Sequence, residues 1–338
     1  MLKPPSNNMG AQNTAPSEIP TENRVLLDWV SFTLPNPCPE NAAKLMHLDL
    51  NAFTELDRGG MGYKKSYRFG NITILCDGSD SMGCHVSMSG QGCRLYESTG
   101  HKNWRDLFAL VRVMRGSFTR LDIAFDTVDS SLQIGKIQEA LRNGQVKSIF
   151  SKGREIRSFA LGSDGQSDRG NSIYLGSPTS RVQFRIYDKA AEQQVDGSWV
   201  RLELQLRKER ADLAVDAIIS SDEVGLVGTG IINKYLSFIN LDDSNRSRCS
   251  LLSWWSAWLQ HTEKLKLTVA AAKKQVQDLI NHIQKQYSAT LATISEHLDL
   301  KGFSNFIQQT LKMGLPRMSA RHRMILAASG PSAMDYPF

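Results

Sequence analysis

Three short runs alternate apolar and chemically active side chains with a period of two, and they constrain the fold of this 338-residue chain more than any other feature. In residues 121–126 (LDIAFD), Leu121, Ile123 and Phe125 fall on one side of an extended backbone, and Asp122, Ala124 and Asp126 on the other. Residues 182–189 (VQFRIYDK) set Val182, Phe184 and Ile186 against Gln183, Arg185, Tyr187 and Lys189. Residues 201–207 (RLELQLR) set Leu202, Leu204 and Leu206 against Arg201, Glu203, Gln205 and Arg207. Strands of this kind form an antiparallel sheet that packs helices on one face and leaves the other for water or chemistry. If the three share a sheet, its second face gathers two Asp, one Glu, one Tyr and several cations. Any antiparallel sheet with a wet face shows the same alternation, so the period predicts a sheet and does not by itself supply an active site.

The rest of the pattern predicts an α+β unit followed by helices. Residues 25–34, 63–69, 72–76 and 84–88 are short β-branched or aromatic runs broken by Gly, Asp and Ser, and read as strands. Residues 104–114 and 132–141 space their apolar side chains as helices, flanking a strand at 118–125. Residues 172–175, 182–189 and 200–206 read as consecutive strands, the last two joined by 190–198. Beyond Arg207 the period becomes helical, over 212–219, 223–239, 251–259, 268–287, 291–298 and 303–311. The polar run 242–248 (DDSNRSR) is the expected linker. Three regions follow: a polar, disordered arm over 1–24, an α+β domain over 25–244, and a basic helical region over 245–338 with a flexible C-terminal tail.

Charge separates along the same boundary. Residues 245–338 hold 12 Lys and Arg against 5 Asp and Glu, whereas residues 1–244 hold 28 against 29, so the whole surplus of +6 lies in the helical region. That region can grip a polyanion, while the α+β unit must bind phosphate through local placement of charge. A composition of 41% apolar and 22% charged residues excludes collagen-like, coiled-coil and wholly disordered classes. Five cysteines, odd in number and without a CxxC pair, predict reduced thiols. No apolar leader and no run of about 18 apolar residues is present, which predicts a cytoplasmic protein without a membrane partner.

The residue types on the second face suit phosphoryl transfer. Carboxylates are hard oxygen ligands for Mg²⁺ or Mn²⁺, a Tyr hydroxyl can be a nucleophile, and Arg or Lys can neutralise charge on a phosphate. The words that carry those residues are more specific than their periods. FTRLDIAFD (118–126), SIYLGSPTSRVQFRIYDKAAE (172–192) and WVRLELQLR (199–207) resemble, in this order, the replication initiation factor (Rep_trans) family. Its members include rolling-circle plasmid initiators, filamentous-phage initiators and relaxases of conjugative elements. LDWVSFT (27–33), GCHVSMSGQGCRLYE (83–97) and WWSAWLQHTEKLKLTVAAAKK (254–274) resemble its phage-type and relaxase-type branch.

The resemblance implies an antiparallel nickase core, HUH-like but without the His-hydrophobe-His metal motif, since no HxH occurs in the chain. It implies a site-specific nickase that joins a tyrosine to the 5′ phosphate of one origin strand and leaves a 3′ hydroxyl as primer. It places that nucleophile at Tyr187, with Arg185 and Lys189 as phosphate contacts, and Mg²⁺ or Mn²⁺ on Asp122 and Glu203, with Asp126 as a further candidate ligand. It further implies origin DNA, duplex and single-stranded, as partner, a host helicase and replisome in a bacterial cytoplasm, and a homodimer that supplies a second tyrosine for termination. A relaxase of a conjugative element, and an inactive origin-binding regulator on the same scaffold, are the rival readings.

Several side chains have two readings. Tyr174, between apolar and Gly-rich neighbours, reads as a packing tyrosine with a hydrogen-bonded hydroxyl. Gly90, Gln91 and Gly92 read as a hairpin turn or a phosphate-binding turn. Trp254, Trp255 and Trp258 can stack bases, but their helical spacing favours core packing. His85 reads as a hydrogen-bonded structural histidine. Lys273 and Lys274 beside an apolar stripe are a phosphate-binding or a solvated face, and Arg317, Arg321 and Arg323 a DNA-backbone contact or a loose cationic tail.

Overall fold

The computed structural model of the protein describes residues 19–99, 103–162, 165–268, 276–318 and 322. Within them the strands are β1 (Arg24–Leu34), β2 (Thr54–Leu56), β3 (Lys65–Phe69), β4 (Ile72–Cys76), β5 (Cys84–Ser89), β6 (Ser117–Thr127), β7 (Val146–Ser148), β8 (Gly153–Gly162), β9 (Gly165–Leu175), β10 (Val182–Asp188), β11 (Val200–Arg207) and β12 (Leu236–Phe238). The helices are α1 (Pro39–Leu45), α2 (Gly90–Ser98), α3 (Trp104–Val113), α4 (Ile134–Arg142), α5 (Lys189–Gln193), α6 (Glu209–Ser221), α7 (Val224–Tyr235), α8 (Ser253–Thr262), α9 (Val276–His297) and α10 (Leu300–Gly314).

Ten strands form one sheet in the order β2-β3-β4-β5-β1-β6-β11-β10-β9-β8, while β12 pairs with β7. Each pairing within the ten is antiparallel. The three alternating runs are therefore neighbours, as β6, β11 and β10, at the centre of one sheet. Ala124 lies opposite Glu203, which lies opposite Arg185; one step along, Asp126 lies opposite Arg201, which lies opposite Tyr187. Residues directly opposed across strands share a face.

The apolar face is closed by helices whose buried stripes recur at helical spacing. In α6 these are Ala211, Ala214, Val215 and Ile218, and in α3 Leu107, Phe108 and Val111. Asn103 caps α3 by accepting from the Arg105 N–H at 2.9 Å. On α7, a Cβ at Gly228 would lie 2.7 Å from the Phe125 ring, so only glycine allows the helix this close to β6.

The domain boundary expected at 244/245 is not a packing boundary. Trp255 and Trp258 of α8 are fully buried, the Trp258 ring meets Phe125 edge-on at 6.1 Å, and its indole N–H donates to Thr127 Oγ1 at 2.9 Å. Ile239 bridges to Leu251 around the DDSNRSR loop, and Leu267 bridges to Val25. Helical spacing marked these tryptophans as core, and they complete the core of the sheet unit.

The other departures are local. Asn23 and Arg24, expected in the arm, are tied to the sheet: Asn23 donates to Asp129 Oδ2 at 2.8 Å and Arg24 pairs with Asp126 at 2.8 Å. Residues 1–18 of the expected arm lie outside the described residues. Residues 236–238, expected in a helix, form β12, and residues 90–92 open helix α2 rather than a hairpin turn. The helices expected at 268–287 and 291–298 form one helix, α9, over its described length. No described helix is long and apolar enough to cross a membrane, and Cys38, Cys76, Cys84, Cys93 and Cys249 are free thiols.

Candidate active site

Tyr187 and Glu203 meet at the centre of the second face. The Tyr187 hydroxyl donates to Glu203 Oε1 at 2.7 Å, and the tyrosine is 2% exposed. The Arg185 guanidinium lies over the Tyr187 ring at 3.7 Å and its Nη1 is 3.9 Å from Glu203 Oε2. Burial, and then the negative charge of Glu203, raise the Tyr187 pKa well above the phenolic 10.0. The phenol therefore keeps its proton in spite of the cations beside it, and donates it in the hydrogen bond to Glu203. Burial and the like charge of Asp28 raise the Glu203 pKa to about 7, against Arg185 and Arg201.

The two expected phosphate contacts converge on one carboxylate. Arg185 Nη2 pairs with Glu192 Oε1 at 3.1 Å and the Lys189 ammonium pairs with Glu192 Oε2. Lys189 opens α5, whose first turn is capped by Asp188 accepting from the Ala191 N–H at 2.9 Å, and its ammonium is 5.6 Å from the Tyr187 ring. Arg185 Nε is buried without a hydrogen-bond partner. The pair has the charge and the unused donor that an incoming phosphate needs, with Glu192 now in its place.

The two aspartates of β6 share a face but have opposite environments. Asp126 accepts from Arg201 at 2.6 and 2.9 Å and from Arg24 at 2.8 Å. Burial pushes its pKa up, but those guanidinium groups, Arg201 foremost, outweigh burial and hold it at about 2. Asp122 is paired with its own strand neighbour Arg120, at 2.9 and 2.5 Å, and Arg120 stacks over Trp29 at 4.0 Å. Burial wins there, with Asp28 adding to it, and raises Asp122 to about 6.

Asp28 is a carboxylate beside this face that pattern reading passed over. It sits where the β1–β6 register slips between Leu27 and Trp29, a bulge that leaves it unpaired in the ladder. Its Oδ1 is 3.4 Å from Arg201 Nη1, and a Cβ on Gly90 would come within 2.6 Å of it. The glycine of the SGQGCR word lets the first turn of α2 close on this carboxylate. A signal existed in the sequence: Val25, Leu26 and Leu27 are apolar in succession, which breaks the alternation just before Asp28.

Asp122, Glu203 and Asp28 are hard oxygen donors, and the first two are held in their uncharged direction by burial and by the like charge of Asp28, which a divalent cation would relieve. Asp126 does not suit that role, because both its oxygens are held by arginines. Among the described residues, no three His, Cys, Asp or Glu side chains stand in ligand geometry, and Asp122 is paired with Arg120. Of the remaining candidates, His85 is buried, shares a 2.9 Å hydrogen bond with Thr33, and is lowered to about 4 by burial. Arg317 is exposed beyond α10, and Lys273, Lys274, Arg321 and Arg323 lie outside the described residues.

Two family patterns match this chain. The pattern described as "Replication initiation factor" matches residues 116–311, and that described as "Rolling Circle replication initiation protein N-terminal domain" matches residues 24–113. The two matches meet between α3 and β6, yet β1 and β6 pair along their length, so both halves share one sheet. A protein of Bacillus subtilis (strain 168), named "Putative DNA relaxase NicK", is 31% identical over 282 residues, covering 79% of this chain and 80% of its own. The solved rolling-circle replication initiator protein of Geobacillus stearothermophilus is 30% identical, with a TM-score of 0.67 over 73% of this chain and 98% of its own.

Proposed function

The chain belongs to the replication initiation factor family, and on that premise we propose that it nicks one strand of a specific DNA origin and joins it to Tyr187. The observation that carries this reading is the 2.7 Å hydrogen bond from Tyr187 to Glu203 on a face that also presents Arg185 and Lys189. The phenolic oxygen forms a bond to the scissile phosphorus as its proton passes to Glu203 Oε1. The bond from phosphorus to the 3′ oxygen breaks, and that oxygen leaves with the electron pair and takes a proton from water. Arg185 and Lys189, released from Glu192, neutralise the phosphate. Because Tyr187 is buried, the strand gains access as Arg185 shifts from its ring. The phosphotyrosine conserves the energy of the broken bond, so attack by a 3′ hydroxyl reseals DNA without ATP.

Asp122 and Glu203, with Asp28 beside both, are the residues that would hold Mg²⁺ or Mn²⁺, which when bound supplies Lewis-acid polarisation of the phosphoryl oxygen. Origin recognition is assigned to surfaces outside this face, including α9, α10 and the basic residues that follow. Termination needs a second tyrosine, which a partner copy of the chain would supply, and replication proceeds with a host helicase. The likeness to a DNA relaxase favours a second reading with the same chemistry, in which the nicked strand is transferred between cells. Incubation with supercoiled plasmid bearing the origin of the protein's own genetic element and Mn²⁺ tests the chemistry. A covalent 5′ adduct that vanishes in Tyr187→Phe is expected; equal nicking by that variant would overturn it.

A further inference from the structure

Tyr174 was expected to be a packing residue because its sequence neighbours, Ile173 and Leu175, are apolar. Those neighbours point to the opposite face. Tyr174 lies directly opposite Arg185 on β10 and Arg154 on β8, which places the three side chains in one row on the active face. The Arg154 guanidinium is 4.9 Å and the Arg185 guanidinium 5.8 Å from the Tyr174 ring centre. The ring is half-buried, and its hydroxyl has no hydrogen-bond partner among the described residues. Tyr174 is thus neither in the core nor held by its polar end; its contacts on this face are two cations.

One step along, Ser172 and Ile156 continue the row of Tyr187, and Ile156 is 38% exposed. The sheet ends at β8, so the row runs from the nucleophile to an open edge. Arg154 is exposed there and pairs with no carboxylate among the described residues. Two strand spacings, about 10 Å, separate Arg154 from Arg185. A ring with a π-face, guanidinium planes and an adjoining positive edge are the elements that hold unpaired nucleotides, by stacking on the bases and pairing with phosphates.

We propose that Tyr174 and Arg154 form a binding subsite for single-stranded DNA, in which Tyr174 stacks a base next to the scissile phosphate and Arg154 pairs with the neighbouring phosphate. Its position beside Tyr187 rests on the nickase reading, but base stacking on Tyr174 does not. The bound strand would run across β10, β9 and β8 toward the sheet edge. Stacking tolerates any base, so this subsite holds the strand without choosing its sequence.

The test uses full-length protein carrying Tyr187→Phe, so that binding is read without covalent chemistry. Affinity is measured for labelled oligo-dT and for an abasic strand of equal length, which keeps the phosphates and removes the bases. Tyr174→Leu retains apolar bulk and Tyr174→Phe retains the ring. Oligo-dT is expected to bind more tightly than the abasic strand, with that preference falling roughly tenfold in Tyr174→Leu and surviving in Tyr174→Phe. Arg154→Gln is expected to weaken both strands and flatten the salt dependence. The inference is overturned if Tyr174→Leu keeps the preference for bases, or if both strands bind equally to the unsubstituted ring. An adduct assay on the chain with Tyr187 intact separates the two readings: nicking without Tyr174-dependent base preference defeats the subsite alone, and base preference without an adduct defeats the nickase alone.

Discussion

Replacing Glu203 by Gln isolates the proton transfer on which the reading of Tyr187 depends. The amide keeps the shape of the carboxylate and can still accept the 2.7 Å hydrogen bond, but it cannot take the proton. A positioned base contributes about 10²- to 10⁴-fold, so adduct formation in single turnover is expected to fall by that factor in Glu203→Gln. With the Glu203 pKa near 7, the carboxylate is the base above that pH and is lost by protonation below it. The rate of the unsubstituted protein should therefore be level at high pH and drop about tenfold per unit below the Glu203 pKa, which a bound cation brings down from 7. The assay is the time course of the protein–DNA adduct on a denaturing gel, with Mn²⁺ raised to saturation at each pH. A role for Glu203 in holding a metal alone makes a different forecast: excess Mn²⁺ would restore Glu203→Gln. Restoration by metal, or the same pH profile in Glu203→Gln as in the unsubstituted protein, would refute proton transfer to Glu203.

Glu192→Gln removes the anion that now occupies Arg185 and Lys189, and should tighten binding of single-stranded DNA to the Tyr187→Phe protein while steepening its salt dependence; unchanged affinity would show that Glu192 does not compete with phosphate. Arg201→Met leaves the buried Asp126 with Arg24 alone and is expected to cost on the order of 3 kcal/mol in urea unfolding, and a loss below 0.5 kcal/mol would mean that the pair does not hold the sheet. A chain ending at residue 268 keeps Trp255 and Trp258 and should unfold cooperatively while losing salt-sensitive origin binding, whereas a chain ending at residue 244 loses both rings and should not fold. Full origin affinity in the folded 268-residue form would remove DNA binding from α9, α10 and the residues beyond.

The faces of β6, β10 and β11 were legible because alternation is a property of one strand and needs no knowledge of neighbours. What each side chain meets was not, because that is set by pairing. Tyr174 looked like a core residue from Ile173 and Leu175, but its companions are Arg185, on the next strand 11 residues on, and Arg154, on a strand that the sequence does not mark at all. The strand β8 carried no signal of its own: its described side chains are almost all exposed, so neither face is selected for apolar residues. Helix α8 showed the reverse limit. Its tryptophan spacing announced a buried face correctly, but periodicity does not say against what, and a polar loop before it suggested a boundary where the core in fact continues.

Asp122 and Asp126 make the same point about chemistry. They lie four residues apart on one strand and one face, and both are buried, so any argument from alternation treats them alike. The fold separates them by what it brings opposite. Arg201, directly across from Asp126, fixes that carboxylate as an ion-paired strut with a pKa near 2. Gln205 stands opposite Asp122, so its compensating charge comes chiefly from Arg120 on its own strand, with Arg207 adding less, and burial together with Asp28 carries its pKa to about 6. A carboxylate already satisfied by two arginines has nothing to gain from a metal or a proton, whereas one that is costly to ionise can lower its free energy by taking either. The stable member of the pair therefore belongs to the architecture, and the member that is costlier to ionise, with Glu203 across the sheet, is the one that the proposed chemistry would use.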